Sequence, residues 1–149
     1  MGGISNHFIE HVLKTYCVDF HGVFSANTIP VKLLKRDKFS IVCNFSKATE
    51  PGSHFVTIIA LPNRVLYLDS LGLPCAVSEI STFLLRLKKP VFHNRQQIQD
   101  GASKFCGFYC ILFVLYFDGK KPSFNLSFVT GKLLANDNLC ITYIKRLLK

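Results

Sequence analysis

HFVTIIALPNRVLYLDS, residues 54–70, sets two β-branched and aromatic-rich runs on either side of Pro62-Asn63. Such runs form strands, and two residues of turn chemistry between them close an antiparallel hairpin. A turn centred there pairs residues whose numbers sum to about 125. His54 then falls opposite position 71, and Asp69 becomes its diagonal neighbour, within side-chain reach. Val65, Tyr67 and Asp69 share one face of the second strand, and Leu66 and Leu68 share the other.

Working upstream, Phe39–Asn44 (FSIVCN) reads as a third strand. Pro30 opens a short helix over Val31–Lys35. Residues 5–14 (SNHFIEHVLK) predict an amphipathic helix capped by Ser5, with Phe8, Val12 and Leu13 inward. Downstream, Ser78 is the expected cap of a helix over Glu79–Lys88, with Ile80, Phe83, Leu84 and Leu87 on one stripe. Pro90 stops it, and residues 91–99 read as a strand or extended segment. A loop containing Gly101 leads into a long helix over Lys104–Phe117, which Gly119 and Pro122 break. A last helix is expected over Leu139–Leu148. Strands in a block with helices around them make an α+β pattern in one domain, residues 1–149.

Composition supports a folded core: 49% of residues are hydrophobic and 14 are Phe, which excludes a disordered chain. Residues 1–15 lack a basic start followed by an apolar run, so secretion is not expected. The longest apolar run, Phe105–Phe117, is too short to cross a bilayer and reads as a buried helix. Without a secretion signal the six cysteines read as free thiols, and their spacing with His suits no zinc knuckle, so no metal is expected. The net charge of +9 attracts polyanions. Lys32, Lys35, Arg36, Lys38, Arg86, Lys88 and Lys89 are the candidate DNA contacts; an ordinary solvated basic surface is the alternative.

Four residues carry chemistry. Cys106 sits at the first turn of the buried helix, where unpaired N–H groups and the helix dipole favour thiolate, the nucleophilic form. Gly107 beside it would let a substrate backbone come close. His54 follows a Pro51-Gly52 turn and starts a strand, a place from which a side chain can face a cleft. Asp69 can fix the imidazole tautomer and stabilise imidazolium. Gln99 can complete an oxyanion hole with the backbone N–H of Cys106, with Gln96 and Gln97 as nearby decoys. Each has an ordinary structural alternative when taken alone. Base, orienting acid, oxyanion donor and nucleophile together match what covalent acyl transfer needs. Cys110, one turn beyond Cys106, reads as a small core residue.

At these positions the chain resembles the adenovirus endopeptidase (adenain) family, including relatives in Polinton/Maverick-type and adintovirus-like elements. Cys17–Phe24 (CVDFHGVF) is similar to the family segment before its first strand. Val42–Phe55 (VCNFSKATEPGSHF) resembles its Val-x-Asn and Glu-x-Gly-x-His-Trp pattern, with Phe55 in place of Trp. Tyr67–Gly72 (YLDSLG) resembles the strand that ends in the acidic member and then Gly; the acid here is Asp, as in SUMO-specific proteases. Gln99–Cys110 (QDGASKFCGFYC) resembles the Gln loop, nucleophile and trailing Cys, and Leu126–Leu134 (LSFVTGKLL) is similar to a segment containing Thr-Gly.

The resemblance implies a papain-like, circularly rearranged fold with a mixed central sheet and flanking helices. It implies a cysteine endopeptidase that cuts capsid and core precursors next to Gly during virion maturation. It further implies DNA and an activating viral peptide as cofactors, with no cofactor needed for the chemistry itself. Cys75 does not stand where adenain's peptide-linking Cys does, so any such peptide would bind non-covalently. A monomer in the host nucleus and virion, or in the cytoplasm, is expected. Small residues at Gly52, Gly101 and Gly107 would suit a narrow channel. Two alternatives share the same residues: a deubiquitinase or SUMO-type protease, and a non-catalytic basic DNA-binding protein.

Overall fold

The central hairpin forms in the expected register. A computed structural model of the chain describes residues 4–47, 53–118 and 132–148. Strands β3 (Phe55–Leu61) and β4 (Arg64–Leu68) pair antiparallel, with Thr57 opposite Leu68 and Ile58 opposite Tyr67. Both are shorter than expected at the open end. His54 stands just before β3 and Asp69 just after β4, so neither side chain is bound to a strand face.

Strand β2 (Phe39–Asn44) pairs antiparallel with β3. The segment expected to precede the first strand contains a strand of its own, β1 (Phe20–Ser25), parallel to β2 on the sheet edge. Its register shifts between Phe20 and Val23, and the Val23 N–H is taken up by Glu10 Oε1 at 3.1 Å. That irregularity broke the alternation that would have marked it. On the other edge β5 (Val91–His93) pairs parallel with β4 and is only three residues long. Among the described residues the sheet is therefore mixed, with strand order β1-β2-β3-β4-β5.

Alternation along the central strands sends side chains to two cores. Phe39, Ile41, Cys43, Val56, Ile58, Val65 and Tyr67 face a core closed by the 3-10 helix Val31–Lys35 and by α2 (Ser78–Arg86). The stripe Ile80, Phe83, Leu84 and Leu87 is buried there. Ser78 does not cap α2. Val77 holds the cap position without a side-chain bond, and the Ser78 hydroxyl lies 3.2 Å from Glu79 Oε2 instead.

On the other face Val42, Ile59 and Leu68 meet α1 (Asn6–Tyr16), α3 (Cys106–Asp118) and α4 (Leu133–Leu147). Ser5 caps α1, accepting the Phe8 N–H at 3.2 Å, and Ile9 rather than Phe8 joins Val12 and Leu13 in the core. Residues 106–115 of α3 are buried on every side, each large apolar side chain contributing roughly 1.5–3 kcal/mol by leaving water. α4 begins six residues earlier than expected, because Asn136 and Asp137 point inward. The Pro51-Gly52 turn, the stop at Gly119 and Pro122, and most of 126–134 lie outside the described residues. Among the described residues no helix is long and apolar enough to cross a membrane. No disulfide joins the six cysteines.

Candidate active site

One cleft of about 540 Å³ gathers His54, Gln99 and Cys106, with Ile4, Asn44, Phe55 and Gly107 among its walls. Cys106 is the first residue of α3, so its side chain sits at the mouth of a helix whose body is core. Residues 103–105 before it are neither helix nor strand, and Cys106 itself lines the cleft.

His54 is reached by continuing the β2–β3 ladder, where Phe45 N–H donates to the His54 carbonyl at 2.9 Å. Phe45 packs edge-on against the imidazole at 5.0 Å between centroids. Asn44 ties both ends of the intervening loop: its Oδ1 accepts the Ser46 N–H at 2.8 Å and the Ser53 N–H at 3.3 Å. The ring's Nε2 lies 2.7 Å from Asp69 Oδ1. With Nε2 turned to Asp69, Nδ1 is the ring nitrogen left for the Cys106 thiol, and the two side chains shift one another's pKa.

Asp69 is buried and its carboxylate is aimed. Oδ1 accepts the Leu71 N–H at 2.8 Å as well as the imidazole. The Asn94 amide clamps the main chain, donating to the Asp69 carbonyl at 2.6 Å and accepting the Asp69 N–H at 2.8 Å. A lone Asn in an extended segment carried no sequence signal for this role.

Gln99 is also buried, and its orientation follows from its partners. Ser70 Oγ donates to Oε1, and Nε2 donates to the Ser103 carbonyl at 3.0 Å, leaving the second amide hydrogen free. The Ile98 and Gln99 N–H groups both donate to the Ser70 carbonyl, at 2.9 and 3.0 Å. That docking needs Gly72, whose φ of +72° suits glycine and whose added Cβ would lie 2.7 Å from the Gln96–Gln97 backbone. Behind the loop, Asn136 Nδ2 donates to the Ile98 carbonyl at 3.0 Å. The Tyr109 hydroxyl lies 3.2 Å from the same oxygen and 2.8 Å from Asp137 Oδ1. Gln96 and Gln97 are exposed.

The electrostatics separate the thiols. Burial pushes the Cys106 thiol up, but the His54 ring and the backbone N–H groups of Phe55 and Gly107 outweigh it and lower its pKa. Burial pulls His54 down, yet its bonds to Asp69 and Cys106 win and raise it to about 9. Cys110 moves the other way: full burial holds it well above an ordinary thiol, with Thr57 opposing. The pair at Cys106 and His54 therefore favours thiolate and imidazolium, while Cys110 stays a neutral core thiol.

Gly101 and Gly107 both line the cleft. A Cβ on Gly107 would lie 2.8 Å from Ile4 Cγ1 and 3.2 Å from Ile9 Cδ1, so the space on that side of its backbone is taken by the start of α1.

The basic residues lie elsewhere. Lys32, Lys35, Arg36, Lys38, Arg86 and Lys88 are exposed, and Lys38 adjoins the end of the sheet where Phe39 pairs Ala60. That end is roughly 17 Å along the strand from the Asn44–Phe55 pair. Lys38 pairs Asp19 at 3.4 Å, and Lys89 is half-buried, donating to the Asp37 and Leu61 carbonyls at 3.1 and 3.0 Å.

No family profile and no curated protein matches the chain. Solved structures do. ChlaDub1 from Chlamydia trachomatis superposes with a TM-score of 0.55 at 13% identity, over 76% of this chain and 60% of that one. An ASFV protease gives 0.52 at 17% identity, over 76% and 57%. The C-terminal Ulp1 protease domain, solved in complex with Smt3, the yeast ortholog of SUMO, gives 0.50 at 14% identity, over 99% and 79%. The chain thus spans about 60% of the first two proteins. Its mixed five-stranded sheet with helices on both faces is the α+β fold of the Ulp1-type cysteine proteases.

Proposed function

We propose that this chain is a cysteine endopeptidase acting on polypeptides, with Cys106 as nucleophile, His54 as base and acid, Asp69 orienting the imidazole, and Gln99 as oxyanion donor. The single observation that carries this reading is the His54 ring, held 2.7 Å from Asp69 in an open cleft that it shares with Cys106, whose thiol it favours as thiolate.

The thiolate attacks the scissile carbonyl carbon, forming the C–S bond as the C=O electron pair moves to oxygen. The oxyanion lies against the Gln99 amide and the Cys106 N–H. Collapse breaks the C–N bond, and the imidazolium gives its proton to the departing amine. Water, deprotonated by the neutral imidazole, then attacks the thioester and returns the acid product and the thiolate. Asp69 holds Nε2–H throughout, which keeps Nδ1 on the reacting side.

The substrates we propose are capsid and core precursors cut next to Gly during virion maturation, with DNA and an unlinked viral peptide as activators. Localisation would be the host nucleus and virion, or the cytoplasm. The sequence resemblance and an ASFV protease among the fold neighbours support this. A second reading, release of a SUMO-type protein, is favoured by the likeness to Ulp1 with its bound Smt3. Incubating the chain with Gly-containing peptides and with ubiquitin-fold fusions, with and without duplex DNA, separates the two by mass spectrometry of the products. Peptide cleavage that disappears in Cys106→Ala is the expected outcome. Cleavage of fusions alone selects the second reading, and equal cleavage by Cys106→Ala removes both.

A further inference from the structure

The cleft wall beside the nucleophile is an aliphatic side chain from the chain's N-terminal segment. Ser5 caps α1, which makes Ile4 the residue just before the cap and Ile9 the fourth residue of the helix. An apolar pair at those two positions clasps a helix start. Here both side chains converge on one point: the space a Cβ of Gly107 would occupy, 2.8 Å from Ile4 Cγ1 and 3.2 Å from Ile9 Cδ1. Gly107 follows Cys106 directly, and Ile4, Cys106 and Gly107 line the same cleft as His54 and Phe55. Ile4 is half-buried, so part of it packs on Gly107 and part faces the opening.

We infer that Ile4 is a specificity-determining residue, narrowing the cleft at Cys106 so that a small residue must sit beside the scissile bond. The inference rests on the protease reading and deepens it. A substrate side chain projecting toward α1 meets the Ile4 methyl groups, whereas glycine has nothing to place there. The backbone of Gly107 does not set the width, because Ile4 and Ile9 have already filled the space above it. A residue outside the reacting set thereby chooses what the thiolate can reach.

Two readouts test this on the whole chain. One is the ratio of cleavage rates for matched peptides carrying Ala or Gly before the scissile bond. The other, independent of peptidase activity, is the ratio of Cys106 alkylation by N-phenylmaleimide to that by iodoacetamide. Ile4→Ala should raise both ratios by at least about tenfold, the scale at which hydrophobic pockets discriminate. Ile4→Val should give a smaller rise, and Ile4→Phe should lower both. Ile4→Val keeps the clasp with Ile9, which guards against a variant that merely loosens α1. Both ratios unchanged in all three variants, with wild-type circular dichroism, overturns the inference. A shifted alkylation ratio in a chain that cleaves neither peptides nor ubiquitin-fold fusions supports Ile4 as the wall and overturns the protease reading.

Discussion

The two sides of the cleft are held by different means. On the sheet side, His54 and Asp69 are fifteen residues apart and are positioned by one hairpin whose backbone ladder sets the distance between them. On the loop side, Gln99 is positioned by side chains scattered along the chain: Ser70 directly, and Tyr109 and Asn136 through the neighbouring Ile98 carbonyl. A ladder is cooperative and local, so its geometry follows from register. A set of single polar contacts is neither, and each member can be removed without unravelling the rest.

The largest expected effect comes from the sheet side. Asp69→Asn retains shape but removes the charge that steadies imidazolium and selects the tautomer, so kcat should fall by about 10³–10⁴. Its pH dependence is the sharper test. Burial pulls His54 down, while the Asp69 bond helps lift it to about 9, so the imidazolium needed as acid persists to that pH and is lost above it. In Asp69→Asn the lift is reduced, and the alkaline limb of the rate profile should move to lower pH. An alkaline limb that stays in place would show that Asp69 does not control the ring and would dissolve the contrast between the two sides.

Gln99→Ala strikes the loop side and should cost less, about 10²–10³ in kcat, the usual loss for one oxyanion donor. Alkylation of Cys106 by iodoacetamide forms no oxyanion, so its rate should stay close to wild type. A parallel collapse of alkylation would mean that the loop also holds the thiolate, and that the two sides are one unit.

This contrast also explains what could be read from the sequence. Pro62-Asn63 set the hairpin register, and from it the diagonal placing of His54 and Asp69 followed by arithmetic. Ser5 as a cap and the stripe on α2 followed from periodicity. β1 was hidden because its pairing slips and an acid from α1 takes up one of its N–H groups. The first turns of α4 were hidden because LLANDN shows no apolar stripe, and the two residues that turn inward are polar. Asn94 and Gly72 act through backbone atoms of distant segments, which no local pattern announces. Gly107 was legible as a small residue but not as the seat of Ile4.

The smallest effect should come from the most distant member of the loop-side set. Asn136 is wholly buried on α4, 38 residues from Ile98 in sequence, and meets the loop at the Ile98 carbonyl next to Gln99. In Asn136→Ala that oxygen keeps the Tyr109 hydroxyl within 3.2 Å, so it is not left wholly unpaired. The cost in stability should be at least about 1–2 kcal/mol, the loss of the bond to Ile98 with partial compensation. Turnover should drop only a few-fold, and the pH profile should not move, because nothing in the His54–Asp69 pair depends on α4. Combining Asn136→Ala with Gln99→Ala settles whether the path runs as drawn. If Asn136 works only by steadying Gln99, the double variant turns over no more slowly than Gln99→Ala alone. Additive losses would place the influence of α4 somewhere other than the oxyanion donor.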